Sequence, residues 1–368
     1  MKPVAYFLCA LALILICISP WLIMSFYEKL PEKPYFQGIL SLWHISGWRT
    51  GGSSSAAFLE KRIAQFEGNN PHVFIELKSL TADEALQALQ NGEKPDLISY
   101  PYGIDLPLEL AALPHTDTLF SGLPDTAYPY MCGGYCILLN TDLMTENSID
   151  PAVNDGIRPE ALLEAAKLGV AFDAEAGYTS LPALALHTYP PASRPSVSTW
   201  GEPEPPDAAL NIQGNWENGF AAFCEGNTAV LIASHRQLFE ATDDMTQSSV
   251  PGFTACAIGP YTDMVQMIGV AKQEDELRMD TCKSFSSFML TSNVQKKLEA
   301  LGVFPVIGGL EIYAESDIHQ AIYERLSQGA ALPEPDSKDT LDTLAKEAFA
   351  GDERALNKLR GALRGKQD

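Results

Sequence analysis

The chain lacks most of what marks an enzyme or a nucleic-acid-binding protein. It carries 25 Lys and Arg against 47 Asp and Glu, a net charge of −22 in 368 residues. No basic stretch stands ready to neutralise phosphates, which argues against nucleic acid as a partner and against docking on an anionic lipid surface. The acidic balance reads as a soluble, self-repelling surface. Six histidines are present, but none form a His-Glu-x-x-His or a close pair, so neither a metal nor a cofactor is expected. Gly51-Gly52-Ser53-Ser54-Ser55 is neither a Gly-x-Ser-x-Gly elbow nor a Walker loop. It reads as a flexible loop that caps a helix, with an anion site at the helix end as the lesser alternative.

Cysteine is sparse too. Cys9 and Cys17 lie in an apolar N-terminal run, and the other five are Cys132, Cys136, Cys224, Cys256 and Cys282. Five is an odd number, and the spacing fits no zinc pattern. Cys132 and Cys136 on one strand would sit about 13 Å apart, too far for a disulfide unless Gly133-Gly134 turn the chain. Buried free thiols are the favoured reading.

What is there begins with Val4 to Met24, nearly all apolar. The run is longer than the ~7–15 residues of a secretory h-region and close to the ~20 that span a bilayer. No small-x-small cleavage site follows, and Leu15-Ile16 before Cys17 lack the small residue of a lipobox. An uncleaved membrane anchor is favoured over a cleaved signal or a lipid attachment. Beyond it, 46% hydrophobic content over this length suits roughly two domains.

The stretch from Gly38 to Tyr102 organises the rest. Ile39 to Ile45 is an apolar strand, followed by the Gly/Ser-rich loop Ser46 to Ser54. A helix from Ser55 to Glu67 buries Leu59, Ile63 and Phe66, and Asn69-Asn70-Pro71 stops it. Val73 to Leu77 is a strand. Thr81 and Glu84 form a capping box before a short helix with Leu86 and Leu89 inward. Asp96 to Tyr100 is the third strand. Such alternation predicts parallel pairing, with ligands bound outside the carboxyl ends of the strands. Those ends carry Trp43, His44, Trp48, Arg49, Tyr100 and Tyr102.

A strand ending in Trp-His, then IAQFEGNNP, VFIEL and KPDLISY resembles, in that order, the family 1 extracellular solute-binding proteins of ABC importers, the maltodextrin-binding type. Further along, Tyr130 to Asn140 with Asp142 and Leu143 resembles that family's crossing strand, although Leu139 and Thr141 replace its tyrosine and lysine. Gly133 and Gly134 are then hinge candidates, or else mark a β-bulge. Phe223 to Phe239 resembles the family's helix, Gly-turn, strand and ligand loop, which places Ser234, His235 and Arg236 at a cleft wall. Phe253 to Pro260 is a strand, Gln266 to Lys272 a return crossing, Thr281 to Met289 and Ser292 to Leu301 helices. Asp352 to Arg364 is a terminal helix. Leu106 to Leu113 reads as a short helix, Pro159 to Leu168 and Thr179 to His187 as two more. The proline-rich stretch from Tyr189 to Asp207 reads as a surface loop, whose Trp200 either stacks on a ligand or packs the loop down.

The resemblance implies an α/β, two-lobed type II periplasmic-binding fold with hinge-crossing strands, preceded by an N-terminal transmembrane or signal helix. Residues 1–27 would be the anchor or signal, 36–130 and 263–308 lobe 1, 131–262 and 309–368 lobe 2. It further implies a non-enzyme, extracytoplasmic and anchored (secreted if cleaved), that delivers a small solute to ABC permease subunits and works as a monomer. Trp43, Trp48, Tyr100, Tyr102 and Tyr130 would stack on the ligand, a sugar or oligosaccharide, while His44, Arg49, His235 and Arg236 orient it. The arginines leave an anionic solute open. An anchored sensor on the same scaffold is the alternative; an extracellular hydrolase is disfavoured by the missing motifs.

Overall fold

A computed structural model describes residues 35–150, 159–172, 174–175, 178–188, 218–244, 250–259, 261–333 and 338–364. The N-terminal apolar run, the proline-rich stretch with Trp200, and Pro260 lie outside the described residues. Gly38–Asp368 form one compact unit. No helix among the described residues is long and apolar enough to cross a membrane.

The strands are β1 (Gly38–Ile45), β2 (Val73–Leu80), β3 (Leu97–Pro101), β4 (Ala127–Cys132), β5 (Tyr135–Asn140), β6 (Val170–Phe172), the short hairpin β7 (Ala174–Glu175) and β8 (Tyr178–Thr179), β9 (Val230–Ser234), β10 (Phe253–Ala257), β11 (Val265–Val270), β12 (Leu332–Pro333) and β13 (Leu363–Arg364). The helices are α1 (Ser55–Asn69), α2 (Ala82–Gln90), α3 (Thr141–Glu146), α4 (Pro159–Ala166), α5 (Leu181–Thr188), α6 (Gly219–Cys224), α7 (His235–Asp244), α8 (Glu276–Met289), α9 (Ser292–Gln295), α10 (Asp317–Ser327), α11 (Lys338–Phe349) and α12 (Glu353–Gly361).

Two mixed sheets carry the architecture. Sheet one runs β2-β1-β3-β11-β4 and sheet two runs β10-β5-β9-β6. In sheet one β1 is parallel to β2 and β3, and β11 is antiparallel to β3 and β4. In sheet two β5 is antiparallel to β9 and β10, and β6 is parallel to β9.

Local chemistry explains the first elements. From Leu42 to Ile45 every residue of β1 is buried, as expected of a central strand covered on both faces. Trp43 packs with Ala85, Ala88 and Ile98, so α2 lies on that face. His44 points the other way, toward Ser55 at the start of α1. Ser54 caps α1 by accepting from the Ala57 N–H at 3.2 Å. Asn70 ends it, donating its side-chain amide to the Phe66 carbonyl at 2.9 Å. Phe66 meets Phe285 edge-on at 5.2 Å, which docks α1 against α8. The Thr81–Glu84 capping box is present.

Several expectations are corrected. In α2 the buried residues are Ala85 and Ala88, while Leu86 is exposed. Small side chains let the helix sit close to the sheet, and Leu86 lies one residue, about 100°, round from Ala85. Leu106 to Leu113 is not a helix. Pro107 has no N–H to give, and the segment runs alongside the end of β11 instead: Lys272 N–H donates to Glu109 O, and Ala111 N–H to Val270 O. The stretch from Ser292 to Leu301 is a four-residue α-helix followed by a 3-10 turn over Lys296–Leu301. Asp275 caps α8, which therefore begins at Glu276 rather than Thr281. The terminal helix ends at Gly361, and Leu363–Arg364 pair with β12.

The run Tyr130 to Asn140 is divided. β4 belongs to sheet one and β5 to sheet two, with Gly133 and Gly134 between them. A second passage leaves β10 in sheet two and enters β11 in sheet one. The passages bond to one another: Gly133 N–H donates to Met264 O at 2.8 Å, and Thr262 Oγ1 to Gly133 O at 2.9 Å. Val303 to Pro305 runs beside them, with Cys132 and Phe304 exchanging backbone bonds of 3.0 and 2.8 Å. The Tyr135 hydroxyl donates to Asp263 Oδ1 at 2.5 Å. Cys132, Cys136, Cys224, Cys256 and Cys282 are free thiols, all but Cys224 buried.

Candidate functional site

The carboxyl ends of β1 and β3 in sheet one and of β9 in sheet two meet beside the crossing segments. Beneath the sheet-one end lies a buried polar network. Ser99 Oγ has three partners: His44 Nδ1 at 2.9 Å, Tyr130 Oη at 2.9 Å and Gln266 Nε2 at 3.0 Å. His44 Nε2 reaches Ser55 Oγ at 2.8 Å, and Gln266 also donates to the Ile45 carbonyl at 2.8 Å. One assignment is consistent with every one of these bonds. Gln266 and Tyr130 donate to Ser99, Ser99 donates to Nδ1, and a neutral His44 donates from Nε2 to Ser55. Burial agrees with that neutral state, since it pushes the His44 pKa down to about 4. Burial likewise pushes Tyr100 up to about 12.

Trp43, His44 and Tyr130 therefore sit in the interior, each at most 4% exposed. The ring of Trp43 faces the α2 layer with Lys78 Nζ 5.4 Å from its centroid. Tyr100, half-buried, also packs against that cluster. Ser99 and Gln266 escape a reading of the sequence. The only signal was a polar residue inside each of two apolar strands, LISYP and VQMIGV.

Of the remaining candidates, Trp48 and His235 come together. Trp48, in the loop after β1, lies edge-on against His235 with ring centroids 5.2 Å apart. His235 opens α7 directly after β9, so this contact joins the ends of the two sheets. His235 is fully buried, and neither ring nitrogen closes a well-formed hydrogen bond. Burial pushes its pKa down to about 3, and the nearby backbone of Arg49 and Gly134 opposes that shift. Its imidazole lies on Gly133, where an added Cβ would be 2.6 Å from the ring. Gly134 is hemmed in similarly by Ile322 and Phe304. Neither glycine has positive φ, so close packing, not backbone conformation, selects glycine at both positions.

Arg49 is exposed. Arg236 turns back along α7 to Glu240, Nη1 to Oε1 2.6 Å. The first donors of α7 are already engaged. His235 N–H donates to Gly134 O at 2.8 Å and Arg236 N–H to Ser234 Oγ at 3.3 Å. The Tyr102 hydroxyl donates to Pro333 O at 3.1 Å. Asp96 stands at the other end of β3, where it accepts two bonds from the Arg278 guanidinium, 2.6 and 2.7 Å, and one from Ser41 N–H at 2.7 Å. No group of three or more His, Cys, Asp or Glu able to hold a metal occurs among the described residues.

Two mixed α/β sheets joined by crossing strands give this chain the fold of the sugar-binding substrate-binding proteins of ABC transporters, the maltodextrin-binding type. The cyclic alpha-maltosyl-1,6-maltose binding protein from Arthrobacter globiformis matches with a TM-score of 0.58 and 13% identity, over 89% of this chain and 97% of its own. An ABC substrate-binding protein from Listeria monocytogenes in complex with cycloalternan matches with a TM-score of 0.54 and 16% identity, over 89% and 98%. The galacto-N-biose-/lacto-N-biose I-binding protein of the ABC transporter from Bifidobacterium longum matches with a TM-score of 0.54 and 13% identity, over 90% and 96%. No protein-family model and no curated sequence matches the chain.

Proposed function

We propose that this chain is the extracytoplasmic binding component of an ABC importer and holds a neutral sugar or oligosaccharide between two lobes. Lobe 1 would be residues 36–130 and 263–308, lobe 2 residues 131–262 and 309–368. The observation that carries the reading is structural. Similarity extends over almost the whole length of several sugar-binding proteins, and the carboxyl ends of the two sheets meet where ligands bind in open α/β sheets. Tyr100 and Tyr102 supply apolar faces for pyranose rings, and Trp48 stands at the mouth against His235. Arg49, His235 and Arg236 supply polar atoms. His44 and Tyr130 belong to the enclosed polar network beneath, and Trp43 packs under α2. A neutral ligand is favoured over an anion because Arg236 is paired with Glu240 and burial keeps His235 uncharged at neutral pH.

On this reading the protein breaks no bond in its ligand, hands it to permease subunits, acts as a monomer, and is tethered by its N-terminal apolar segment. Closure would turn on the passages at Gly133–Gly134 and at 258–264. The test is a thermal-shift screen with sugars, oligosaccharides and small anions. One sugar should raise Tm at saturating concentration. A flat response to every sugar, or product release from any of them, refutes it. An anchored sensor that has given up delivery is the second reading. The occupation of the mouth by the chain's own Trp48 favours it.

A further inference from the structure

Of the loop Ser46–Ser54, Trp48 alone is buried. A large indole that is only 4% exposed in a loop of Ser, Thr, Gly and Arg is the anchor of that loop. What it anchors to lies on the other sheet: the ring of His235, itself seated on the crossing residue Gly133. The backbone behind Trp48 is drawn in equally close. A Cβ on Gly51 would lie 2.5 Å from Phe239 of α7, and one on Gly52 would lie 2.5 Å from the Ala300 carbonyl. Gly52 N–H donates to Leu301 O at 3.0 Å. Glycine at these two positions is what lets the loop lie down. Inside the loop, Thr50 Oγ1 donates to Ser53 O at 2.6 Å and Ser46 Oγ to Trp48 O at 3.3 Å, so it keeps its shape.

The seat is imperfect. The indole N–H of Trp48 is buried without a hydrogen-bond partner. An unpaired buried donor is costly compared with a paired or solvated one. An occupant that satisfied the polar atoms of this seat would compete with the indole for it. A sugar offers both a flat apolar face and hydroxyls.

Building on the sugar-binding reading above, we propose that Ser46–Ser54 is a self-occluding strap. Trp48 takes the place of a sugar ring between the sheet ends, latches them together through His235, and must withdraw before a ligand can enter. Ligand affinity is then reduced by the fraction of time the strap stays seated.

The experiment is calorimetric titration of the full-length chain with maltotriose, cycloalternan and lacto-N-biose, comparing wild type with Trp48→Ala and Gly52→Ala. Trp48→Ala removes the plug. Gly52→Ala keeps the indole but drives the strap off the Ala300 carbonyl. Both variants should bind one of these sugars at least tenfold more tightly than wild type. Where the two disagree, or where Trp48→Ala does not fold, Gly52→Ala decides, because it moves the strap and spares the ring. Equal or weaker binding by Gly52→Ala overturns the strap while leaving the sugar-binding reading in place. No heat from any sugar with any of the three proteins overturns both.

Discussion

The two sheet ends that meet at the candidate site are finished differently. Under the end of sheet one, His44, Ser99, Tyr130, Gln266 and Ser55 form a connected network in which both ring nitrogens of His44 have partners. At the end of sheet two, His235 is buried just as deeply but has no well-formed ring hydrogen bond. Two histidines of equal burial thus do different work. One fixes a scaffold. The other offers a surface, packed against the edge of Trp48 and the bare backbone of Gly133.

Mutation can break that contrast. His44→Ala should cost the most, about 4 kcal/mol, because it opens a cavity and strands Ser99 and Ser55 without their shared partner. Chemical denaturation at pH 7 measures it, and a loss under about 1 kcal/mol would mean the network adds nothing.

Acid should expose the same histidine more gradually. The folded pKa of His44 is lowered to about 4, so between that value and the unfolded 6.5 the unfolded chain binds the extra proton. The stabilisation is complete above pH 6.5 and is lost as pH falls toward 4, about 3 kcal/mol in all. His235 and His319 are shifted the same way by burial, so the wild type must be read against His44→Gln. The stability gap between the two proteins should narrow by about that amount from pH 7 to pH 4, and a gap independent of pH would refute the assignment.

The smallest effect sharpens the comparison from the other side. His235→Leu removes ring nitrogens that make no good bond, so stability at pH 7 should change by less than about 1 kcal/mol. A loss of several kcal/mol by denaturation would show that His235 is a structural residue like His44.

Much of sheet one was legible because its signals are local. Ser54, Thr81 with Glu84, and Asn70 are caps that act within a turn of their own helix, and the strands from β1 to β3 are apolar runs bounded by turn residues. The helix expected over Leu106 to Leu113 failed because its backbone partners are Val270 and Lys272, which bond to Ala111 and Glu109 from more than 150 positions away in sequence. The site was legible as a neighbourhood and less so as a contact list. Trp43 and His44 are adjacent in sequence, yet strand alternation sends one to the α2 layer and the other into the polar network.

By itself the sequence determined the order of strands and helices from β1 to β3, that these three strands pair in parallel, and that aromatic residues gather after β1 and β3. Those features follow from periodicity and capping, which act over a few residues. Tertiary structure alone decided that Gly133 and Gly134 are glycine for lack of space, that Arg236 answers to Glu240, and that Trp48 closes on His235. Each depends on atoms brought together from separate elements, and close packing at such a junction is a property of the assembled chain that no local pattern encodes.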